Sequence, residues 1–180
     1  MADWHAEARE IREASHYEHL RILVWGPGDP GTSAPPEKQK AYRKRLQIKD
    51  VLRNRFPRAE VNFSEDLEMV QIATGIIGQL RKEALQARTA DLILMLAISR
   101  GAELELDHFV PTYPWFREKV YVLLPQQFIP PQGLVKEVFD HLKPDQVVGF
   151  SNDDFISCVV ATEKSVSITE GVAMDKYLRR

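Results

Sequence analysis

The stretch Asp91 to Ile98 reads DLILMLAI, an apolar run of strand length in which apolar and polar residues do not alternate. Such a run is typical of a parallel strand whose two faces are both covered by helices. Similar runs occur at Leu20 to Trp25 (LRILVW), Lys119 to Leu124 (KVYVLL) and Asp145 to Phe150 (DQVVGF), with a weaker one at Glu60 to Phe63. The sequence therefore predicts four or five strands.

Segments in which apolar residues recur at helical spacing lie between these runs. The first is basic, begins after Pro35 and ends near Phe56, where a proline follows. The second ends near Arg88, and its two glycines, Gly75 and Gly78, can break it in two. Shorter helices are predicted in two later segments, Gln132 to Leu142 and from Asp153 onward.

This alternation of strands and helices predicts a flavodoxin-like (Rossmann-like) three-layer α/β sandwich with a four- or five-stranded, mainly parallel sheet. We expect residues 20–180 to form one α/β domain, preceded by a helical or flexible extension at 1–19. Ligands of such sheets bind beyond the carboxyl ends of the strands. A functional site is therefore expected in the loops after Trp25, Phe63, Ile98 and Leu124.

Composition limits the class of protein. The chain has 180 residues, 44% of them hydrophobic, which is enough for a globular core without disulfides. Its one cysteine, Cys158, cannot form an internal disulfide or a multi-cysteine metal site, and we expect it to be a small buried apolar residue. No apolar run is long enough to span a bilayer, and the N-terminal stretch is too polar for a signal peptide. We expect a soluble, cytoplasmic protein without a membrane partner.

Basic residues are concentrated in one segment. Lys38 to Arg58 carries nine basic residues and one acid, Asp50, a local balance of +8 in a chain whose net charge is −2. We interpret the segment as the solvated outer face of a surface helix, and the alternative is a patch that attracts phosphates. It lacks interleaved stacking aromatics and a known reading motif, so no specific DNA binding is expected.

Glycines and prolines follow the first predicted strand. The loop Gly26-Pro27-Gly28-Asp29-Pro30-Gly31 formally matches G-x-G-x-x-G. In a dinucleotide-binding loop a helix starts at once and offers its free amides to pyrophosphate, but here Pro30 lacks an amide and Pro35 delays the helix. Two interpretations remain open, a ligand-facing loop whose glycines allow close backbone approach and a flexible turn.

Polar residues crowd the exit of the third predicted strand. A predicted helix begins there within the sequence Ser99-Arg100-Gly101-Ala102-Glu103-Leu104-Glu105. On that helix Glu105 shares a face with Phe109, whereas Glu103 shares a different face with Asp107. Only one of the two glutamates can therefore point into a pocket. The alternative is that these acids only interact favourably with the helix dipole.

The order of these motifs resembles that of the nucleoside 2-deoxyribosyltransferase-like group and of the related TIR-type nucleotide N-glycosidases. The resemblance covers roughly Leu20 to Pro125. Its order is a strand, a Gly-Pro loop, a helix, a second strand, a helix ending in Glu-x6-Ala-Asp, an apolar strand, Ser-x-Gly-Ala-x-x-Glu and a strand that begins with lysine. The family motif Gly-Thr-x-x-Glu corresponds to Gly101, Ala102 and Glu105, and the family loop corresponds to Gly26 and Pro27.

The resemblance implies an activity. The glutamate of the family acts as a nucleophile or stabilises positive charge on the sugar, and this role carries over to Glu105. Two family residues differ here: the aspartate two positions before the glycine is Ser99, and the tyrosine before the first loop is absent, with Val24 and Trp25 nearby. These departures favour a hydrolase that tolerates ribose, or a pocket that binds without cleaving, over a transferase.

We therefore expect an N-glycosidase, a hydrolase or transferase acting on a nucleotide, a nucleoside or NAD, with Glu105 beside the anomeric carbon. A second acid would protonate the leaving base, and Glu83 and Asp66 are the candidates. Trp25 is either a stacking platform for the base or a core aromatic. Substrate contacts are expected from Gly26, Pro27, Gly28, Trp25, Ser99, Gly101 and Asp66. The alternative function is a non-catalytic nucleotide-sensing or protein-interaction module.

Other chemistries are not favoured. The chain lacks G-x-S-x-G and G-x-x-x-x-G-K-[ST], which argues against an α/β-hydrolase and against a P-loop enzyme. His16 and His19 have no third ligand near them in the sequence. We therefore expect neither a metal nor a cofactor.

An aromatic segment follows the proposed catalytic helix. His108 to Arg117 (HFVPTYPWFR) carries four aromatic rings and two prolines, Pro111 and Pro114. Because proline interrupts helices, we predict an irregular loop here. Its rings would cap the site, form the centre of a homodimer as in the resembled family, or pack in the core.

Overall fold

The computed structural model describes residues 4–16, 18–129, 134–151 and 159–179, and its centre is a five-stranded sheet. The strands are β1 (Arg21–Trp25), β2 (Glu60–Asn62), β3 (Leu92–Leu96), β4 (Val120–Pro125) and β5 (Val147–Phe150). Their order is β2-β1-β3-β4-β5, and all four neighbouring pairs run parallel. The predicted parallel sheet and three-layer α/β fold are confirmed.

Eight α-helices are described around this sheet. They are α1 (Trp4–Ser15), α2 (Pro36–Arg55), α3 (Leu67–Ile72), α4 (Gln79–Thr89), α5 (Arg100–Thr112), α6 (Pro114–Arg117), α7 (Leu134–Phe139) and α8 (Val159–Leu178). Short 3-10 turns occupy Gln126–Phe128 and Pro144–Gln146. Gly75 and Gly78 have φ angles of 79° and 92°, which glycine tolerates best, and they lie between α3 and α4 as the sequence predicts.

Two apolar cores lie on opposite faces of the sheet. Ile93 and Met95 of β3 pack into one core with α4, α5, α6 and α7, whereas the alternate residues Leu92, Leu94 and Leu96 pack into the other core with α2 and α8. All five residues of β3 are buried, because helices cover both faces. This is why the run at Asp91 to Ile98 shows no alternation.

The N-terminal segment is also helical where it is described. Helix α1 packs against α8, and Ser15 at its end is buried. The His16 Nε2 atom lies 3.2 Å from a carboxylate oxygen of Glu170, which ties the end of α1 to α8. The predicted start of α8 at Asp153 and the burial of Cys158 concern residues outside the described ranges.

The structure of the basic helix α2 differs from the solvated outer face that its sequence predicts. Lys44, Arg45 and Lys49 are only 0%, 1% and 7% exposed, so the prediction of a solvated outer face is wrong for three of the nine basic residues. These three lie on the inner side of α2 with Ile48 and Leu52. The other six basic residues of the segment are exposed, namely Lys38, Lys40, Arg43, Arg53, Arg55 and Arg58.

The aromatic segment also differs from expectation. Helix α5 continues through Pro111 to Thr112, and α6 starts at Pro114, so the predicted irregular loop is wrong. Pro111 lies in the last turn of α5, where its missing amide costs a single hydrogen bond, and the Tyr113 amide still bonds the Phe109 carbonyl at 3.0 Å. Phe109 and Phe116 are fully buried with ring centroids 5.3 Å apart. These two rings belong to the core.

No helix among the described residues is long and apolar enough to cross a membrane.

Candidate functional site

The loops that follow β1, β2 and β3 meet at one edge of the sheet, where α4 and α5 also begin. Glu105 lies on α5, just over one turn from the start of that helix, and its side chain is half-buried. Glu103 and Asp107 on the same helix are exposed. Only Glu105 of these three acids therefore faces inward, as its spacing from Phe109 predicts.

Burial and neighbouring charges change the ionisation of Glu105. The pKa of Glu105 is raised from 4.5 to about 7, mainly because the side chain loses contact with water; the nearby Glu83 and Glu65 carboxylates also raise it, whereas the Arg45 guanidinium lowers it. Glu105 is therefore partly protonated near neutral pH. The neighbours that set this value come from α4, from the loop after β2 and from α2.

Glu83 forms the second half of a carboxyl pair with Glu105. It lies on α4, is 7% exposed, and accepts a hydrogen bond of 2.6 Å from the Gln79 amide nitrogen. Burial raises the pKa of Glu83, while the hydrogen bond from Gln79 and the charge of His108 act in the opposite sense. The structure thus brings Glu83 and Glu105 together, and the pair can hold a proton that neither carboxyl would hold in water.

Arg45 of α2 connects the loop after β1 with the loop after β2, beside this carboxyl pair. Its Nε and Nη2 atoms donate to the Val24 carbonyl at 3.0 and 2.9 Å, and its Nη1 atom donates to the Pro27 carbonyl at 3.2 Å. Nη1 and Nη2 also donate to the two carboxylate oxygens of Glu65 at 2.7 and 2.9 Å. The guanidinium carbon lies 4.0 Å from the ring centre of Phe63. All five N–H groups of Arg45 therefore have partners.

The loop after β1 divides into a packed part and an open part. At Gly26, where φ is 150°, an added Cβ would lie 3.0 Å from the Leu96 Cβ and 3.2 Å from the Leu96 carbonyl oxygen, so a side chain does not fit there. Gly28 is exposed and has no atom within 4 Å of such a Cβ position. Gly26 is therefore packed against β3, and Pro27 follows it directly, whereas Gly28 lies in the open part of the loop, at the solvent-facing entrance of the candidate site, which we call its mouth.

Helix α2 begins only at Pro36, eight residues after Gly28 and with no side-chain cap. The loop therefore does not lead directly into a helix N-terminus, and the arrangement differs from that of a dinucleotide-binding loop.

Asp66 lies at the same edge but is occupied by structural contacts. Its carboxylate pairs with the Lys49 ammonium and accepts a hydrogen bond of 2.7 Å from the Phe63 amide. Lys49 also lies over the Phe63 ring, with its Nζ atom 4.1 Å from the ring centre. Of the two candidate second acids, Glu83 lies beside Glu105, whereas Asp66 stabilises the turn after β2.

Ser99 and Gly101 shape the start of α5. The Ser99 hydroxyl accepts a hydrogen bond of 3.3 Å from the Ala102 amide and so caps the helix. Gly101 is exposed in the first turn. Both residues stand at the mouth of the site, but the role of Ser99 in the structure is that of a cap.

Trp25 is placed in the core. It is 2% exposed, and its ring centre lies 5.3 Å from that of Phe109 and 5.6 Å from that of Phe116. Its indole nitrogen is buried and has no hydrogen-bond partner. The ring is covered by these aromatic neighbours, so the core interpretation of Trp25 fits the structure better than a stacking platform.

Sequence reasoning missed Arg45, Glu65, Gln79 and His108. In the sequence Arg45 is one of nine basic residues in a single segment. A signal was present, because Ala41, Arg45, Ile48 and Leu52 recur at helical spacing and all four are buried. A cation in an apolar stripe needs partners, and here the partners come from two strand-end loops.

A cavity of about 610 Å³ lies elsewhere in the molecule. It opens between the first residues of β1, the edge strand β2 and α3, and it is lined in part by Arg21, Glu60, Met69 and Ile72. None of the candidate site residues lines it. Among the described residues, no group of three His, Cys, Asp or Glu side chains is arranged to hold a metal ion.

A scan against protein-family models finds no family that matches this chain, and a search of the curated proteins finds no match either. The fold and the carboxyl pair define the class of protein, an α/β sandwich with two partly buried acids at the carboxyl edge of its sheet.

Proposed function

We propose that this protein cleaves N-glycosidic bonds of nucleosides or nucleotides, with Glu105 facing the sugar and Glu83 beside it. The observation that carries the proposal is the pairing of these two partly buried carboxyls, from α4 and α5, at the edge where parallel sheets bind ligands. The resemblance to nucleoside 2-deoxyribosyltransferase-like enzymes supports the same assignment of Glu105.

The chemistry requires one ionised and one protonated carboxyl. As the bond from the anomeric carbon to the base nitrogen breaks, its electron pair goes to the base and positive charge develops on the sugar. In the form of the pair whose proton lies on Glu83, ionised Glu105 stabilises that charge or attacks the carbon, and Glu83 donates its proton to the leaving base. Water then adds to the sugar carbon, and its proton returns to the carboxyl pair.

The environment of the pair favours a state in which the two carboxyls hold one proton between them. Burial raises the pKa of both groups, and the Glu83 charge also raises that of Glu105, whereas Arg45 favours the ionised form of Glu105. At neutral pH the pair is therefore able to hold one proton between two carboxyls. One group is then ready to stabilise positive charge while the other is ready to donate.

The first test is base release by Glu105→Gln. Wild type and variant are incubated with a panel of nucleosides, nucleotides and NAD, and free base is measured by chromatography. The amide has nearly the same shape but cannot neutralise a developing cation, so we expect a loss of about 100-fold or more.

Glu103→Gln is the matched control, because it makes the same chemical change on an exposed face of the same helix. It should retain full activity. A loss with Glu103→Gln and not with Glu105→Gln would contradict the assignment, and absence of base release from every member of the panel with wild type would contradict the proposed activity.

One observation favours a second function, a nucleotide-binding module without catalysis. The family aspartate is replaced by Ser99, whose hydroxyl is used to cap α5. A protein of this kind would bind a nucleoside or nucleotide, detectable by calorimetry, and release no base.

A further inference from the structure

We propose that Arg45 is a positioning residue of this site, which locks the loop after β1 and the Glu65 carboxylate into one arrangement beside Glu105. This inference rests on the proposed function, since it concerns how the same edge is built. Arg45 itself does not touch the substrate, because its five N–H groups are all used within the protein.

The geometry shows how Arg45 alone can connect the two loops. Val24 is the last residue but one of β1 and Pro27 lies in the loop, so the two carbonyls bound by Arg45 lie on either side of the end of the strand. Glu65 belongs to the loop after β2. A single guanidinium therefore connects two neighbouring strand-end loops whose positions determine the shape of the mouth.

The contact requires arginine. The planar guanidinium presents two parallel N–H groups to the two oxygens of Glu65 while three further N–H groups point to backbone carbonyls. Lysine offers three donors from a single atom and cannot span both loops. Burial adds to the requirement, because Arg45 is 1% exposed whereas Glu65 is 46% exposed, so the cation depends on these partners.

The arrangement also sets the charges around Glu105. Three charged groups from other elements act on it: Glu83 from α4, Arg45 from α2 and Glu65 from the loop after β2. The carboxylates oppose ionisation of Glu105 and the guanidinium favours it. Because Arg45 and Glu65 hold each other, their opposing effects on Glu105 stay fixed relative to one another.

Glu65→Gln tests the Arg45–Glu65 contact without removing a buried side chain. Glutamine keeps the shape of the side chain and one acceptor oxygen but removes the negative charge, and the site is exposed enough for the chain to fold. The readout is the carboxyl titration of Glu105, followed by carbon NMR. We expect the pKa of Glu105 to fall by about half a unit or more, because a repelling charge is lost and Arg45 is left unbalanced. Glu68→Gln, an exposed change on α3, is the control and should leave the titration unchanged.

Arg45→Lys tests the mechanical part of the proposal. Amide hydrogen exchange in residues 26–31 should become at least about tenfold faster, since two carbonyl anchors are lost. If substrate is cleaved, kcat should fall more than KM rises. Unchanged exchange in Arg45→Lys together with an unchanged Glu105 titration in Glu65→Gln would overturn the proposal. Should Arg45→Lys fail to fold, the Glu65→Gln titration decides alone.

These readouts do not depend on catalysis. Titration and exchange report on Arg45 even if wild type releases no base from any substrate. Failure of the proposed function and failure of the positioning role are therefore distinguishable.

Discussion

Glu105 is the residue whose position follows most directly from sequence and whose ionisation follows least. Its spacing from Phe109 places it on the inner face of a helix, and the structure agrees. Its raised pKa comes first from burial and then from the Glu83 and Glu65 carboxylates, while Arg45 lowers it, and these three charged residues lie outside its own helix. No local pattern contains that information, because the charges meet only after the sheet has formed.

The raised pKa of Glu105 predicts a dependence of stability on pH. The folded state keeps the proton up to about pH 7, whereas the unfolded chain releases it near 4.5, so this group lowers the free energy of unfolding as pH rises between those values. Glu105→Gln removes the effect. We expect the variant to gain stability relative to wild type between about pH 4.5 and pH 7, by up to about 3 kcal/mol.

Urea unfolding of both proteins on either side of that pH range measures the difference. Glu103→Gln, on the exposed face, should show no such trend. A gap between Glu105→Gln and wild type that stays constant with pH would mean that the Glu105 carboxyl ionises in the folded state as it does in water.

At the scale of elements, helices α2 and α5 show what sequence patterns can and cannot predict. The existence of α2 follows from its helical spacing and the prolines before it, but its inner face does not, because Lys44, Arg45 and Lys49, which the basic pattern predicts to be solvated, are buried. Helix α5 was expected to end before Pro111. It continues to Thr112 because a proline in the last turn costs only one hydrogen bond, and the packing of the buried Phe109 outweighs that cost.

The cap of α5 predicts how two substitutions at one position will differ. Ser99→Ala removes the acceptor for the Ala102 amide and should lower the free energy of unfolding by about 1 kcal/mol. Ser99→Asp keeps an acceptor at the same place and restores the residue of the resembled family, so stability should stay close to that of wild type. Thermal or urea unfolding of the three proteins makes the comparison. Equal stability of Ser99→Ala and wild type would show that the 3.3 Å contact contributes nothing.

At the scale of the whole molecule, the sheet was predictable because its central strands β1, β3 and β4 are largely buried on both faces and so read as apolar runs. The edge at which the candidate residues meet also followed, because the loops after parallel strands gather at the carboxyl ends of those strands. The burial of three basic residues was not predictable from composition, because net charge says nothing about which cations find partners.

The exposed basic residues allow a prediction about how the whole protein binds DNA. Six basic residues of the segment from Lys38 to Arg58 remain exposed. Phosphate contacts from such a surface do not read sequence, so binding to two unrelated DNA duplexes should be equally weak and should fall steeply with added salt. Fluorescence anisotropy measures both, and Arg43→Gln should reduce the slope with salt. Binding that prefers one duplex and persists at physiological salt would contradict this.

The strand order has a consequence for how the chain is made. Ile22 pairs with Leu92, whereas Ile93 pairs with Val120 and Val122 pairs with Val147, so the contact of β1 with β3 closes a much longer stretch than the contacts around β4. Longer loops cost more entropy to close. The first strand to leave the ribosome therefore waits for β3 to be synthesised before it gains its central neighbour. Until then β1 has β2 and α2 as its partners, and Leu23 and Trp25, which pack in the other core with α5 and α6, stay uncovered and accessible to chaperones that bind extended apolar segments.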